Sequence, residues 1–160
     1  MKLFVVIQIL ANLYLGAKAC TEIRVIATDH SVIVGRSMEF MIDLMSNVIV
    51  EPKGQPHTAL MPEKCAQHSE PMAWQNKHSI AYLDALKLPV GCDGQNEAGL
   101  SVGALLFPGF AIYQDVPEKK CGSSVSSLEF PVWILGNFKT VQEMRDALKT
   151  DSFPLVWKEN

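Results

Sequence analysis

Apolar and polar positions change period along this chain, and the period says where strands give way to helices. Residues 3–15 are a continuous apolar stretch broken only by Gln8 and Asn12. Beyond it Ile23, Val25 and Ala27 alternate with Glu22, Arg24 and Ile26, turn chemistry follows at Asp29, His30 and Ser31, and a β-branched run resumes at Val32, Ile33 and Val34. That pattern predicts a β-hairpin, because period two puts alternate side chains on opposite faces. The hairpin carries Cys20 at one end and Gly35-Arg36-Ser37-Met38-Glu39 at the other. Residues 47–51 predict another short strand, stopped by Pro52, Lys53 and Gly54, where proline sets φ and glycine accepts a positive one. Residues 55–77 hold prolines, histidines and polar residues without period and are expected to be mostly loop. A strand is expected at 79–86, a glycine-punctuated turn region at 91–99, and a buried strand at 100–107, ended by Pro108 and Gly109.

The C-terminal part has helical period. Pro131 suits a first helical turn, where its missing N–H costs little, and Val132, Trp133, Leu135 and Phe138 then surround a short buried helix. Thr140 with Glu143 three residues later predicts a capping box, and Val141, Met144, Ala147 and Leu148 form an apolar face from Val141 to about Lys149. Strands followed by helices predict an α+β fold with helices packed on an antiparallel sheet.

Composition narrows the partners. With 160 residues, 48% hydrophobic and 19% charged, at net charge −3, the chain suits one globular domain. Its 14 Lys and Arg are scattered among 17 Asp and Glu, so there is no basic footprint for nucleic acid. The mean hydropathy of +0.12 is raised by the first fifteen residues, and no other segment approaches the roughly 18 apolar residues of a membrane span.

Lys2, the apolar stretch and the small residues Ala17 and Ala19 predict a signal peptide over 1–19, cut after Ala19. A retained anchor and lipidation at Cys20 are the alternatives at this point. Cleavage would leave Cys20 with a thiol and a free α-amine on one carbon. An α-amine, with a pKa of about 7.7 to 8, can take the thiol proton, so one residue holds both nucleophile and base. The competing reading is that Cys20 is half of a disulfide in an oxidising compartment.

Five ordered blocks change those odds: Cys20-Thr21, Gly35-Arg36-Ser37-Met38-Glu39-Phe40, Asn96-Glu97-Ala98-Gly99-Leu100, Phe107-Pro108-Gly109 and Glu129-Phe130-Pro131-Val132-Trp133. The chain resembles the choloylglycine hydrolase and penicillin V acylase family from Cys20 to about Leu148. The resemblance implies the N-terminal half of an αββα N-terminal-nucleophile hydrolase sandwich, Cys20 as nucleophile, and a small-molecule substrate with a linear C–N amide bond. No cofactor is expected, and because the spacing of His57, His68 and His78 with Cys65 repeats no known zinc pattern, no metal is expected either. Substrates of that family are conjugated bile salts, penicillin V and N-acyl homoserine lactones. Carried over by position, Arg36 matches the family's active-site arginine, whose guanidinium would favour thiolate over thiol. Glu39 stands where better-known members have an aspartate that holds the nucleophile's α-amine.

Two further departures matter. Leu106 occupies the place of an asparagine or tyrosine, and leucine has no donor for an oxyanion. Relatives run to about twice this length, so 20–160 reads as a domain truncated at its C-terminus; the alternative is a true short product, which is expected to be unstable, to dimerise through its open face or to need a second chain. The rival expectation is a secreted fragment or binding module without catalysis. Location is expected to be secreted or periplasmic, with no membrane attachment once the signal is removed. Cys65, Cys92 and Cys121 allow at most one disulfide among themselves, with the pair unassigned. His57, His68 and His78 are expected to be scattered surface residues, and Trp74, Trp133 and Trp157 packing residues.

Overall fold

The computed structural model describes residues 20–40, 42–105 and 109–158. The expected signal peptide at 1–19 and Leu106 lie outside the described residues. The chain divides into two units, Met1–Leu44 and Met45–Asn160. The first holds β1 (Glu22–Ile26) and β2 (Val32–Arg36), antiparallel as expected. The second runs β3 (Val48–Glu51), β4 (Pro56–Thr58), β5 (Ala73–Gln75), β6 (Ile80–Ala85), β7 (Leu88–Asn96), β8 (Ser101–Gly103) and β9 (Ser124–Ser126). It continues with α1 (Phe130–Asn137), α2 (Val141–Ala147) and β10 (Leu155–Trp157). Strands β3-β6-β7-β8 form a four-stranded antiparallel sheet, β4 pairs antiparallel with β5, and β9 pairs parallel with β10. The fold is α+β, and no helix of the described residues is long and apolar enough to cross a membrane.

Helix α1 organises this second unit. Every residue from Pro131 to Gly136 is buried, as an all-apolar helix requires. Val132 and Leu135 pack on Ile80 and Tyr82 of the sheet. Trp133 and Ile134 pack on the other side with Leu100 and Val125, and Phe130, Phe138 and Phe153 surround Trp133 at ring separations of 5.9, 5.3 and 5.1 Å. Trp133 and Trp157 are core residues as expected, and Trp74 packs partly buried against the same cluster.

Strand β7 corrects the turn expected at 91–99. Its glycines are where the helix comes close: a Cβ on Gly94 would stand 2.7 Å from Leu135 Cδ1 and 2.8 Å from the Ala81 carbonyl, and one on Gly91 3.0 Å from Val132 Cγ2. Glycine in a strand can mark such an approach instead of a turn. The true turn is confined to 97–99, with Gly99 at φ +87°. Strand β8 stops at Gly103, short of the run expected to 107.

Asn96 joins turn, sheet and helix. Its Oδ1 accepts the Ala98 and Leu100 N–H groups at 3.1 and 3.0 Å. Its Nδ2 donates to the Leu135 and Phe138 carbonyls at 2.9 and 2.6 Å, closing the helix end where carbonyls lack partners. Glu129, also buried, accepts the Leu60 N–H on both carboxylate oxygens, at 3.1 and 2.9 Å. Helix α2 starts on its expected cap, Thr140 Oγ1 accepting the Glu143 N–H at 3.1 Å. The return bond differs by one residue, since Glu143 Oε2 accepts from the Lys139 N–H at 2.7 Å. Of its expected apolar face, Met144 joins the core while Val141 and Leu148 stay exposed.

The stretch expected to be loop contains β4 and β5, held by a polar cluster. Glu51 accepts from Asn76 Nδ2 at 2.9 Å and from the Tyr82 hydroxyl at 3.0 Å, and pairs with His57 Nε2 at 2.9 Å. His57 stacks on Trp74 with centroids 4.8 Å apart. His57 and His78 are therefore not surface residues: both are largely buried, and His78 Nδ1 lies 3.6 Å from Glu97. Cys65 and Cys121 form a disulfide across 56 residues of sequence, buried with Val116 and Trp157. Among the described residues no group of His, Cys, Asp and Glu has the arrangement of a metal site.

Two expectations follow. Asn96→Ala removes four hydrogen bonds at a buried position and is expected to lower stability by about 2–4 kcal/mol, read from urea unfolding. For Glu51, burial alone would raise its pKa, but His57, Tyr82 and Asn76 together hold it below the ordinary value of 4.5. A carboxyl lowered on folding stabilises above its unfolded pKa and loses that contribution as pH falls through the folded one. Unfolding midpoints of the native chain and Glu51→Gln should differ most above the ordinary carboxylate value of 4.5 and converge as acidification carries the pH down through the lowered folded value.

Candidate active site

The hairpin positions the residues expected for catalysis. Its turn is closed by backbone bonds from Ala27 N–H to the Ser31 carbonyl at 2.9 Å and from His30 N–H to the Ala27 carbonyl at 3.0 Å. Asp29 Oδ1 accepts the Ser31 hydroxyl and N–H at 2.7 and 3.0 Å, and those bonds hold its carboxyl below the usual aspartate range. His30 takes a left-handed φ of +67°, a conformation open to Asn, Asp and His more than to most residues. The resulting register runs Ile26 opposite Val32 through Glu22 opposite Arg36. Two more bonds extend it beyond the strands: Ser37 N–H donates to the Thr21 carbonyl at 2.9 Å, and Thr21 N–H donates to Ser37 Oγ at 3.1 Å.

This register brings Cys20 to the residues after β2. Cys20 is half-buried, remains a thiol, and directs its Sγ to the Glu39 backbone carbonyl at 3.8 Å. The competing expectation of a disulfide at Cys20 does not hold here, since the disulfide is Cys65–Cys121. Glu39 is joined to the same group through its side chain, with Oε1 accepting from Ser37 Oγ at 3.2 Å. Arg36 sits on β2 opposite Glu22, half-buried, with Nη2 3.4 Å from Met38 Sδ. Of the three residues expected at the site, Cys20 and Glu39 are in direct contact and Arg36 is placed at the adjoining strand end.

Ser37 is the residue that sequence reasoning left without a role. The available signal was a hydroxyl two positions before a carboxylate, close enough along the chain for a side-chain bond. A separate hollow of about 290 Å³ lies beside the disulfide, lined by Lys64, His68, Asp115, Glu118 and Cys121 among others. Lys64 there pairs with Asp115 at 2.6 Å and draws the aspartate's pKa down. None of Cys20, Arg36 and Glu39 lines it.

Comparison with known proteins identifies relatives. Residues 20–155 match the family described as linear amide C–N hydrolases, choloylglycine hydrolase family. A bile salt hydrolase/transferase of Clostridium perfringens is 26% identical over 134 residues, covering 81% of this chain and 37% of that protein. One of Bifidobacterium longum is 26% identical over 130 residues, covering 81% and 39%. The solved penicillin V acylase of Agrobacterium tumefaciens superposes with a TM-score of 0.70 at 24% identity, over 85% of this chain and 39% of that one. The chain thus spans under two-fifths of the length of these relatives.

Thiol chemistry follows the described positions. Native alkylation with iodoacetamide, read by peptide mass, should label Cys20 and leave Cys65 and Cys121 unlabelled until a reductant is added. Opening the disulfide by a Cys65→Ala, Cys121→Ala pair should cost about 4 kcal/mol in a denaturant titration.

Proposed function

The chain belongs to the choloylglycine hydrolase family of linear amide C–N hydrolases, and from that membership we propose that it is the nucleophile-bearing part of an exported cysteine amidohydrolase. The observation that carries this reading is the Cys20 thiol, half-buried and directed to Glu39 at the open end of the hairpin. The family match beginning at residue 20 supports processing after Ala19. A buried disulfide elsewhere in the chain supports an oxidising destination, secreted or periplasmic.

In this mechanism removal of 1–19 activates the chain by creating the α-amine of Cys20. The amine takes the thiol proton, and the sulfur attacks the amide carbonyl carbon to give a tetrahedral oxyanion. Collapse breaks the C–N bond, and the departing nitrogen receives the proton from the α-ammonium, leaving a thioester. Water, deprotonated by the same amine, attacks that thioester and releases the acid with the thiol restored. Arg36 supplies fixed positive charge that favours thiolate, and Glu39 orients the amine. Leu106 offers no donor to the oxyanion, so either backbone N–H groups and another residue hold it or turnover is weak.

The substrate class is a small acyl amide, of which penicillin V, N-acyl homoserine lactones and conjugated bile salts are the forms to test. Leu106 turns the choice away from bile salts. Cys20→Ala should reduce amine release from penicillin V by on the order of a thousandfold or more relative to the processed native chain. Full activity in that variant would overturn the proposal.

A further inference from the structure

The contacts around Cys20 close a ring that passes through one residue without an assigned role. Thr21, covalently next to the nucleophile, gives its N–H to Ser37 Oγ at 3.1 Å. The Ser37 N–H returns to the Thr21 carbonyl at 2.9 Å. Ser37 Oγ is bonded to Glu39 Oε1 at 3.2 Å, and the Glu39 carbonyl lies 3.8 Å from Cys20 Sγ. A hydroxyl has one proton and two lone pairs. Because the Thr21 N–H occupies a lone pair, the one proton is directed to the carboxylate, which in its charged form is the stronger acceptor.

We propose that Ser37 is a positioning residue of the active site, its hydroxyl fixing the Glu39 carboxylate relative to the nucleophile at Cys20. The inference rests on the reading of Cys20 as nucleophile. A glutamate carries one rotatable bond more than an aspartate, so its carboxylate explores more positions unless something holds it. Ser37 is suited to hold it, because its own place is set by two bonds to Thr21 and leaves little freedom at Oγ. Glu39 is exposed, so one charge-assisted bond here has a modest effect, expected as a change of about fivefold.

The test uses the chain expressed with residues 1–19 and purified after export, beginning at Cys20. The rate of Cys20 alkylation by iodoacetamide is followed against pH for the native chain, Ser37→Ala, Ser37→Thr, Glu39→Gln and the Ser37→Ala, Glu39→Gln pair. If Ser37 acts through Glu39, Ser37→Ala shifts the pH profile in the same direction as Glu39→Gln, slows alkylation about fivefold at pH 7, and adds nothing once Glu39 is already Gln. Ser37→Thr, which keeps the hydroxyl, restores the native profile. A purely structural serine would lower stability without moving that profile. If Ser37→Ala leaves the profile unchanged, or its effect adds in full to that of Glu39→Gln, the role of Ser37 is overturned and the nucleophile reading stands. If native Cys20 reacts no faster than it does in the urea-unfolded chain, the nucleophile reading fails and this inference fails with it.

Discussion

Helix α1 is apolar on all sides, and a helix of that kind has to be covered on all sides before its burial is favourable. The second unit is arranged around that requirement. The β-sheet meets it on one flank, where Gly91 and Gly94 remove the side chains that would otherwise hold the helix off. The aromatic group of Phe130, Phe138 and Phe153 around Trp133 closes the other flank together with Leu100 and Val125. Gly136 belongs to the same fit, because a Cβ there would overlap Asn76 Oδ1. Side-chain volume is withheld where backbone must approach and supplied where a gap would remain.

So tight a burial strands polar groups unless they are answered from within. Asn96 uses both faces of its amide to do this, and Glu129 uses both oxygens. Glu51 is the charged case: its oxygens are shared among Asn76, Tyr82 and His57, and so it fastens β3 to β6 and to the β4-β5 pair at once. Removing water from such groups strengthens each bond they make and makes each lost bond costly.

What could be read from the residues follows from how local each signal is. The hairpin, β3, β6 and the starts of both helices were legible because alternation, Pro131 and the Thr140–Glu143 cap are signals within a few residues of one another. Strand β7 was not, because a glycine needed for helix approach is indistinguishable along the sequence from one needed for a turn. Strands β4, β5, β9 and β10 have three residues each, too few for a period, and they exist through partners far away in the chain. The choice of Cys65 with Cys121 and of Glu51 with His57 is likewise tertiary. At the candidate site, Cys20 was marked first by the small residues of the expected cleavage site before it and then by family resemblance, Arg36 and Glu39 came from the resemblance alone, and the place of Ser37 required the register that joins it to Thr21.

Among the described residues, the hydrogen bonds that assemble around Cys20 lie within residues 20–39, with 19 positions between Cys20 and Glu39. Loop closure over so short a span costs little chain entropy, and hairpins form on the order of microseconds. The disulfide closes across 56 residues, and its chemistry runs on the far slower scale of thiol oxidation. During folding the surroundings of Cys20 can therefore be organised ahead of the oxidative closure that ties Cys65 to Cys121, so that arranging the Cys20 thiol and locking the larger unit are separate events in time.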